Sequence, residues 1–310
     1  MKILFIVSSF NGLSQRAWLE LDRRNHHIRV HIASTPDKMI DAVQTYQPEL
    51  IIAPYLKAAI PEAVWKKYKC LIVHPGIPGD RGSASLDWAI LRGEKEWGVT
   101  VIEAVDKLDG GPVWAAATFP LRPLAKSCLY RQELAQAAME ALLLAVDRFQ
   151  QDAVHAHHTI PLPAVRGGWN RRTRQEDFHF EWTDTTASIV RKIQAADSDP
   201  GVLTSLFGEH YHCYGAVVEA QHRGTPGTVI GRRDEAFCVA TGDGAIWIQY
   251  LKATTPQAIK LPAALVLADR WPSIPEIPLD IFDDGITGST YREIRYREIN
   301  HIGYLSFDFY

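Results

Sequence analysis

Two residues stand out as able to do chemistry, His74 and Asp109. The apolar, β-rich run Leu71-Ile72-Val73-His74 carries one histidine into the loop Pro75-Gly76-Ile77-Pro78-Gly79-Asp80-Arg81-Gly82. A second run opens at Gly98-Val99-Thr100-Val101 and closes on the turn Leu108-Asp109-Gly110-Gly111-Pro112. Open α/β sheets place their chemistry on side chains that leave strand ends for loops. An imidazole suits donation to an oxyanion and proton movement near neutral pH. A carboxylate within reach keeps such a ring oriented. Each residue alone also fits a plainer role, a core histidine and a turn aspartate; together they point to acid–base work in one pocket.

Elements that could position this pair are readable from periodicity. Ile3-Leu4-Phe5-Ile6-Val7 fits a buried parallel strand. Asn11-Gly12 turns the chain, and Ser14 is placed to cap a helix to about Arg24. Ile28, Val30 and Ile32 alternate as a second strand, and Thr35-Pro36 starts a helix. Leu50 to Ala53 is a third strand, Pro61 opens a helix to about Tyr68, and Cys70 to Val73 is the next strand. Alternation of this kind predicts a doubly wound, mostly parallel, Rossmann-like sheet. Beyond His74 the pattern predicts a helix over 85–91, strands over 99–104 and 113–119, and a long helix capped by Ser127 and reaching Phe149. Leu134, Ala138, Leu142 and Val146 form its buried stripe.

The second half has a different texture. A helix over 186–195 is followed by short strands over 201–207, 210–219, 227–231, 237–240 and 245–251, suggesting a small β-barrel of the oligonucleotide-binding type. A closing helix is expected over 261–267. Trp271 to Pro278 reads as extended, and two strand-like runs follow, the last from Ile302 to Tyr310. The expected organisation is a catalytic domain over 1–165, a linker over 166–180, an OB-like domain over 181–268 and a tail over 269–310. A terminal strand with nothing to pair with is a hazard, so the chain is expected to be the front part of a longer protein.

The 310 residues are 46% apolar and 22% charged, with a net charge of −3, which argues against broad nucleic-acid binding. The four cysteines, Cys70, Cys128, Cys213 and Cys238, are scattered as in reduced cytosolic proteins. No run reaches the roughly 18 continuous apolar residues of a membrane span. The first residues, a charged residue followed at once by a strand, do not read as a signal peptide. The expectation is a cytoplasmic protein without membrane or nucleic-acid partners. Neither His155, His157 and His158 nor His210, His212 and Cys213 completes a metal set by spacing, so no metal is expected. The dinucleotide glycine fingerprint is absent.

Taken together, His74, the loop Pro78-Gly79-Asp80-Arg81-Gly82 and the Asp109-Gly110-Gly111 turn resemble the folate-dependent formyltransferases, which act on glycinamide ribonucleotide, methionyl-tRNA or sugar nucleotides. Trp182 and the stretch from Gly227 to Gly244 extend the resemblance into the C-terminal domain of the methionyl-tRNA enzymes. One departure is large: the asparagine that the family carries two residues before its histidine is Ile72 here. That change, the Trp271 to Pro278 tail and the Tyr304 to Tyr310 strand resemble hydrogenase-maturation factors that join a formyltransferase half to a crotonase-like half. This resemblance implies formyl transfer from 10-formyltetrahydrofolate to coenzyme A. The second half, whose opening strand would be 304–310, would then release carbon monoxide for a nickel-iron hydrogenase.

The same resemblance implies roles for individual residues. His74 stabilises the oxyanion and moves the proton; Asp109 orients it directly or through water. Ile72 cannot donate, so either Ser83 or Ser85 supplies the missing bond or a thiol acceptor needs less help. Folate would lie beside Tyr55, Leu56, Lys57 and Ala58 and the turn from Val105 through Leu108, with Ile77 and Pro78 flanking the reacting carbon. Arg81 would meet a carboxylate such as the folate tail. The acceptor would sit against Ser9, Phe10, Asn11, Gly12 and Ser14, where a helix N-terminus offers an anion site. The basic run Arg166, Arg171, Arg172 and Arg174 is a weaker candidate for CoA phosphates, since charge runs are usually solvated. An amine formyltransferase and a folate-binding module without catalysis remain the alternatives.

Overall fold

This computed structural model describes residues 1–152, 166–277 and 294–307. The chain divides into two compact units, Met1–Thr173 and Arg174–Tyr310.

The first unit is built on a six-stranded sheet. In chain order its elements are β1 (Lys2–Val7), α1 (Gly12–Asp22), β2 (His27–Ile32), α2 (Pro36–Tyr46), β3 (Leu50–Ala53), α3 (Glu62–Trp65), β4 (Cys70–His74), α4 (Ser85–Arg92), β5 (Glu96–Glu103), β6 (Val113–Pro120), α5 (Lys126–Arg131) and α6 (Glu133–Asp152). The strand order is β2-β1-β3-β4-β5-β6. The first four strands are parallel to one another, while β5 runs antiparallel to β4, and β6 antiparallel to β5. β1 and β3 are buried along nearly their whole length, as strands covered on both faces must be. The order reverses between β1 and β3, and such a switch point opens a crevice at the carboxyl ends of the strands. Val7, Ala53 and His74 all end their strands at that edge.

Three local expectations are corrected. α1 is capped by Asn11, not Ser14: the Ser14 N–H donates to Asn11 Oδ1 at 3.0 Å. α3 is a single turn, with Lys67 and Tyr68 both folding back onto the Val64 carbonyl. The long helix is two helices, broken at Gln132 (φ −108°, ψ −89°), and Ser127 lies inside the first of them. The buried stripe holds: Leu134, Ala138, Leu142 and Val146 are all in the core.

The second unit contains α7 (Thr186–Ala195), β7 (Val202–Leu206), β8 (Glu209–Glu219), β9 (Val229–Arg233), β10 (Ala236–Ala240), β11 (Ala245–Ala253), β12 (Leu261–Pro262), α8 (Ala263–Val266), β13 (Ile294–Ile299) and β14 (Ile302–Phe307). Its antiparallel sheet runs β7-β8-β11-β10-β9, with β12 added to β11. Among the described residues no pairing joins β7 to β9, so the sheet is not closed into a barrel. Residues 261 and 262, expected in a helix, pair with β11 instead. The tail makes one 3-10 turn at Trp271–Ser273 and then adds to the β9 edge through Arg232 N to Pro275 O and Ile277 N to Arg232 O. The two last strand-like runs form a hairpin, β13 against β14.

Among the described residues, no helix is long and apolar enough to cross a membrane.

Candidate active site

β4 delivers His74 opposite Thr100 of β5, and the residue is only 4% exposed. Thr100 Oγ1 donates to the Gly76 carbonyl at 2.6 Å, which turns the chain sharply after the strand. The His74 ring then meets a carboxylate that spacing did not single out. Its Nε2 lies 3.0 Å from Asp80 Oδ2, and Asp80 is 2% exposed. A side chain at position 76 is excluded, because a Cβ there would stand 2.6 Å from His74 Nε2 and fall on the Asp80 carboxylate as well.

Asp80 is held on every side. The Ser85 hydroxyl, at the start of α4, contacts Asp80 Oδ2 and also lies 3.3 Å from His74 Nε2 and 3.1 Å from the Gly82 carbonyl. Asn170 Nδ2 donates to Asp80 Oδ1 at 2.5 Å, and Arg92 Nη2 donates to Asn170 Oδ1 at 2.6 Å. The segment around Asn170 is pinned to the loop by its backbone: Gly167 N reaches the Pro78 carbonyl at 3.0 Å, Arg81 N reaches Gly168 O at 3.0 Å and Asn170 N reaches Arg81 O at 2.8 Å. Glycines at 79 and 82, with φ of 88° and 109°, let the loop take this course.

Asp109 arrives from the other strand. It sits in a left-handed conformation (φ 49°) in the turn closed by Gly110 N on Lys107 O. Its Oδ2 accepts from the Gly82 N–H at 3.1 Å and stands 3.8 Å from His74 Nδ1. The expected convergence of His74 and Asp109 is therefore present, with the imidazole lying between two carboxylates rather than beside one.

Ile72 and Leu56 are half-buried and pack on the same apolar cluster, with Ala53, Cys70 and Ala104; Ile72 shares the His74 face of β4. Val105 is half-buried next to them in sequence, and Leu108, Lys57 and Ala58 are exposed. The loop ends at the switch point are stitched together, Ser8 N to Tyr55 O and Lys57 N to Ser8 Oγ, both at 2.8 Å. Of the acceptor-loop candidates, Ser9, Phe10 and Gly12 are exposed and Asn11 is half-buried, whereas Ser14 is buried and bonded to Asn11.

Ile77 is buried beneath Gly98 of β5, and Pro78 is buried as well. Ser85 is committed to the His74–Asp80 contact, while Ser83 is exposed. The Arg81 guanidinium lies over the exposed Trp169 ring at 5.8 Å. Arg171 stacks on Trp88 at 5.3 Å and Arg166 pairs with Glu96 at 3.2 Å, so these two arginines are engaged by their own unit. His155, His157 and His158 lie outside the described residues. Among the described residues, no group of three or more His, Cys, Asp or Glu is arranged to hold a metal ion.

Sequence reasoning missed Asp80 and Asn170. The available signal for Asp80 was an acidic residue bracketed by glycines six residues after the histidine; Asn170 gave none. Burial, with Tyr55 and Asp87 adding to it, pushes the Tyr130 phenol up to about 12. Cys70, at the start of β4, is no nucleophile: burial and Glu103 push its thiol up to about 12.

A formyl transferase family model matches residues 1–146, and the model of the formyl transferase C-terminal domain matches residues 172–265. This chain belongs to the formyltransferase family. Within the family it is 42% identical to the hydrogenase maturation factor HoxX of Bradyrhizobium diazoefficiens, over 100% of this chain and 53% of that protein. A crystal structure of HypX from Aquifex aeolicus in complex with tetrahydrofolic acid superposes with a TM-score of 0.89 at 41% identity, covering 100% of this chain and 54% of that one. The methionyl-tRNA formyltransferase of Clostridium thermocellum shares the fold at 16% identity, with a TM-score of 0.54 over 71% of this chain and 94% of that one. The chain thus spans about half the length of HoxX and HypX. Likeness to hydrogenase maturation factors within the formyltransferase family is the relation that the sequence motifs had implied.

Proposed function

We propose that this chain transfers a formyl group from 10-formyltetrahydrofolate to the thiol of coenzyme A, giving formyl-CoA for carbon monoxide ligand synthesis in nickel-iron hydrogenase maturation. One observation carries the reading. His74 and Asp109 converge at the carboxyl edge of the sheet in a chain 41% identical to a HypX that binds tetrahydrofolic acid.

In this reading the CoA thiol attacks the formyl carbon and a C–S bond forms. The thiol proton passes to His74 Nδ1. The tetrahedral oxyanion collapses, the bond from carbon to folate N10 breaks, and the same proton leaves with N10. His74 and Asp109 act on the reacting atoms. Half-buried Ile72 and Leu56 offer apolar wall for the pterin. An apolar residue at position 72 favours a thiol, because a thiolate attacks without the ammonium that an amine must later shed. Tyr55, Lys57, Ala58, Ile77, Pro78, Arg81, Val105 and Leu108 complete the folate side, and Ser9, Phe10, Asn11 and Gly12 the acceptor side, with buried Ser14 bracing Asn11 from behind. A crotonase-like domain and the hydrogenase-maturation machinery would take the product; the length of HoxX and HypX beyond the matched part supports the first of these.

The test is a competition. The protein is given 10-formyltetrahydrofolate with CoA, methionyl-tRNA and an amino-sugar nucleotide, and products are read by mass spectrometry. Formyl-CoA as the main product supports the proposal. A formylated amine, or folate binding without any transfer, contradicts it.

A further inference from the structure

We infer that Asp80 is the positioning residue that holds His74 in its Nε2–H form, turning the Nδ1 lone pair toward Asp109 and the reacting group. The inference rests on the proposed proton-transfer role of His74 and adds a second carboxylate to it.

The assignment follows from who can donate. An ionised carboxylate only accepts. Asp80 Oδ2 is 3.0 Å from His74 Nε2, so that nitrogen carries the hydrogen. Asp80 cannot turn away, because Asn170 Nδ2 donates to its other oxygen and Ser85 engages the same one as the imidazole. Arg92 in turn donates to Asn170 Oδ1 at 2.6 Å, which fixes the Asn170 amide with its N–H toward Asp80. The chain Arg92, Asn170, Asp80, His74 is thus polarised in one direction. At the far side of the ring, Nδ1 faces Asp109 Oδ2 across 3.8 Å, too long for a direct bond. A neutral Nδ1 and a carboxylate are both acceptors, so the gap suits a group that brings a proton of its own, as a thiol does. Once the proton has moved, the imidazolium is flanked by a carboxylate at each nitrogen.

Asp80→Asn tests this in a specific way. Asn170 still donates to one oxygen at position 80, so the new side-chain amide is oriented with its carbonyl toward Asn170. Its NH2 then faces His74 Nε2 and donates to it. The ring is forced into the opposite form, with the hydrogen on Nδ1. In 15N-histidine-labelled protein, NMR should show His74 protonated at Nε2 in the wild type and at Nδ1 in Asp80→Asn. Transfer should fall by about 10²- to 10⁴-fold, the range for a misplaced general base, while the tetrahydrofolate Kd stays within about threefold.

A wild-type His74 protonated at Nδ1 overturns the inference without requiring any variant to fold. So does an Asp80→Asn protein that keeps the wild-type ring form or a rate within about threefold of wild type. The ring form is read without turnover. Loss of formyl transfer in the wild type would therefore end the functional proposal alone, and a reversed tautomer in an active wild type would end the positioning role alone.

Discussion

Asp80 stands 3.0 Å from His74 Nε2, whereas Asp109 stands 3.8 Å from His74 Nδ1. The closer carboxylate is sealed in, with a side chain 1% exposed, and the farther one is open, at 13%. The two carboxylates are therefore not redundant. One holds the ring from behind, and the other faces it across a gap of 3.8 Å.

Asp109→Ala should leave folate binding within about threefold and lower formyl transfer by about 10²- to 10⁴-fold, the usual weight of a positioned acid–base group. Asp109 also accepts from Gly82 N–H at 3.1 Å, so the loop loses one anchor in this variant. Asp109→Asn keeps an acceptor for that N–H without the charge, and steady-state kinetics on both variants separates loop support from chemistry. Wild-type rates in both would remove Asp109 from the site.

Ile72→Asn places at position 72 the asparagine that the formyltransferase resemblance implies there. A lost oxyanion donor is worth about 2.7–4 kcal/mol in other enzymes, so the variant should raise formylation of a primary amine relative to CoA by up to about 10²- to 10³-fold. Its side chain also enters the apolar cluster of Ala53, Leu56 and Cys70, so a weaker Kd for tetrahydrofolate is expected alongside. An unchanged amine-to-thiol ratio would show that position 72 does not set the acceptor.

The cysteines should differ in reactivity. Burial pushes Cys70, Cys213 and Cys238 each up to about 12 and closes all three off from solvent, while Cys128 is half-buried. Iodoacetamide on the native protein at pH 8, read by peptide mass spectrometry, should modify Cys128 first. Alkylation of Cys70 ahead of Cys128 would mean that the start of β4 opens in solution.

In the second unit, Glu219 is buried but ionised. Burial alone would raise its carboxyl; the Gln221 N–H, the Trp247 indole and His222 outweigh it and hold the group below the ordinary range. The Trp247 contact is 2.6 Å and the Gln221 contact 2.7 Å. A group lowered on folding stabilises above its unfolded pKa, and that stabilisation is lost as pH falls through the folded value. Glu219→Gln must face one of these donors with its own NH2, at a cost of about 1–3 kcal/mol at pH 7. Denaturant unfolding should show that gap at pH 7 and a smaller one below the ordinary glutamate pKa of about 4.3. A gap that widens in acid would refute the ionised assignment.

Much of the fold was readable because its signals are local. Thr35 does cap α2 through Lys38 N, with Pro36 in the first turn, and the buried runs at β1 and β3 carry their own pattern. The approach of His74 and Asp109 to each other was readable for the same reason, since each sits where a strand meets Pro/Gly punctuation. Asp80 was not, because its role depends on a loop folded by two positive-φ glycines. Asn170 was not, because it acts 90 residues away from Asp80, from a segment whose composition reads as linker. The break at Gln132 was hidden for another reason: neither Gly nor Pro marks it, and good helix formers flank it on both sides. At α1 the chain offers two cap formers, Asn11 and Ser14, and only the bond from Ser14 N to Asn11 decides between them.

The most direct measurement is a crystal structure of this chain with a formylated tetrahydrofolate, 5-formyltetrahydrofolate serving as the stable stand-in for the donor. The formyl group is expected at the mouth of the His74–Asp109 gap, with its carbon or oxygen about 3–3.5 Å from the imidazole, as a reacting geometry requires. A pterin bound elsewhere, or a formyl group separated from His74 by an intact wall of side chains, would contradict the assignment of this pair to formyl transfer.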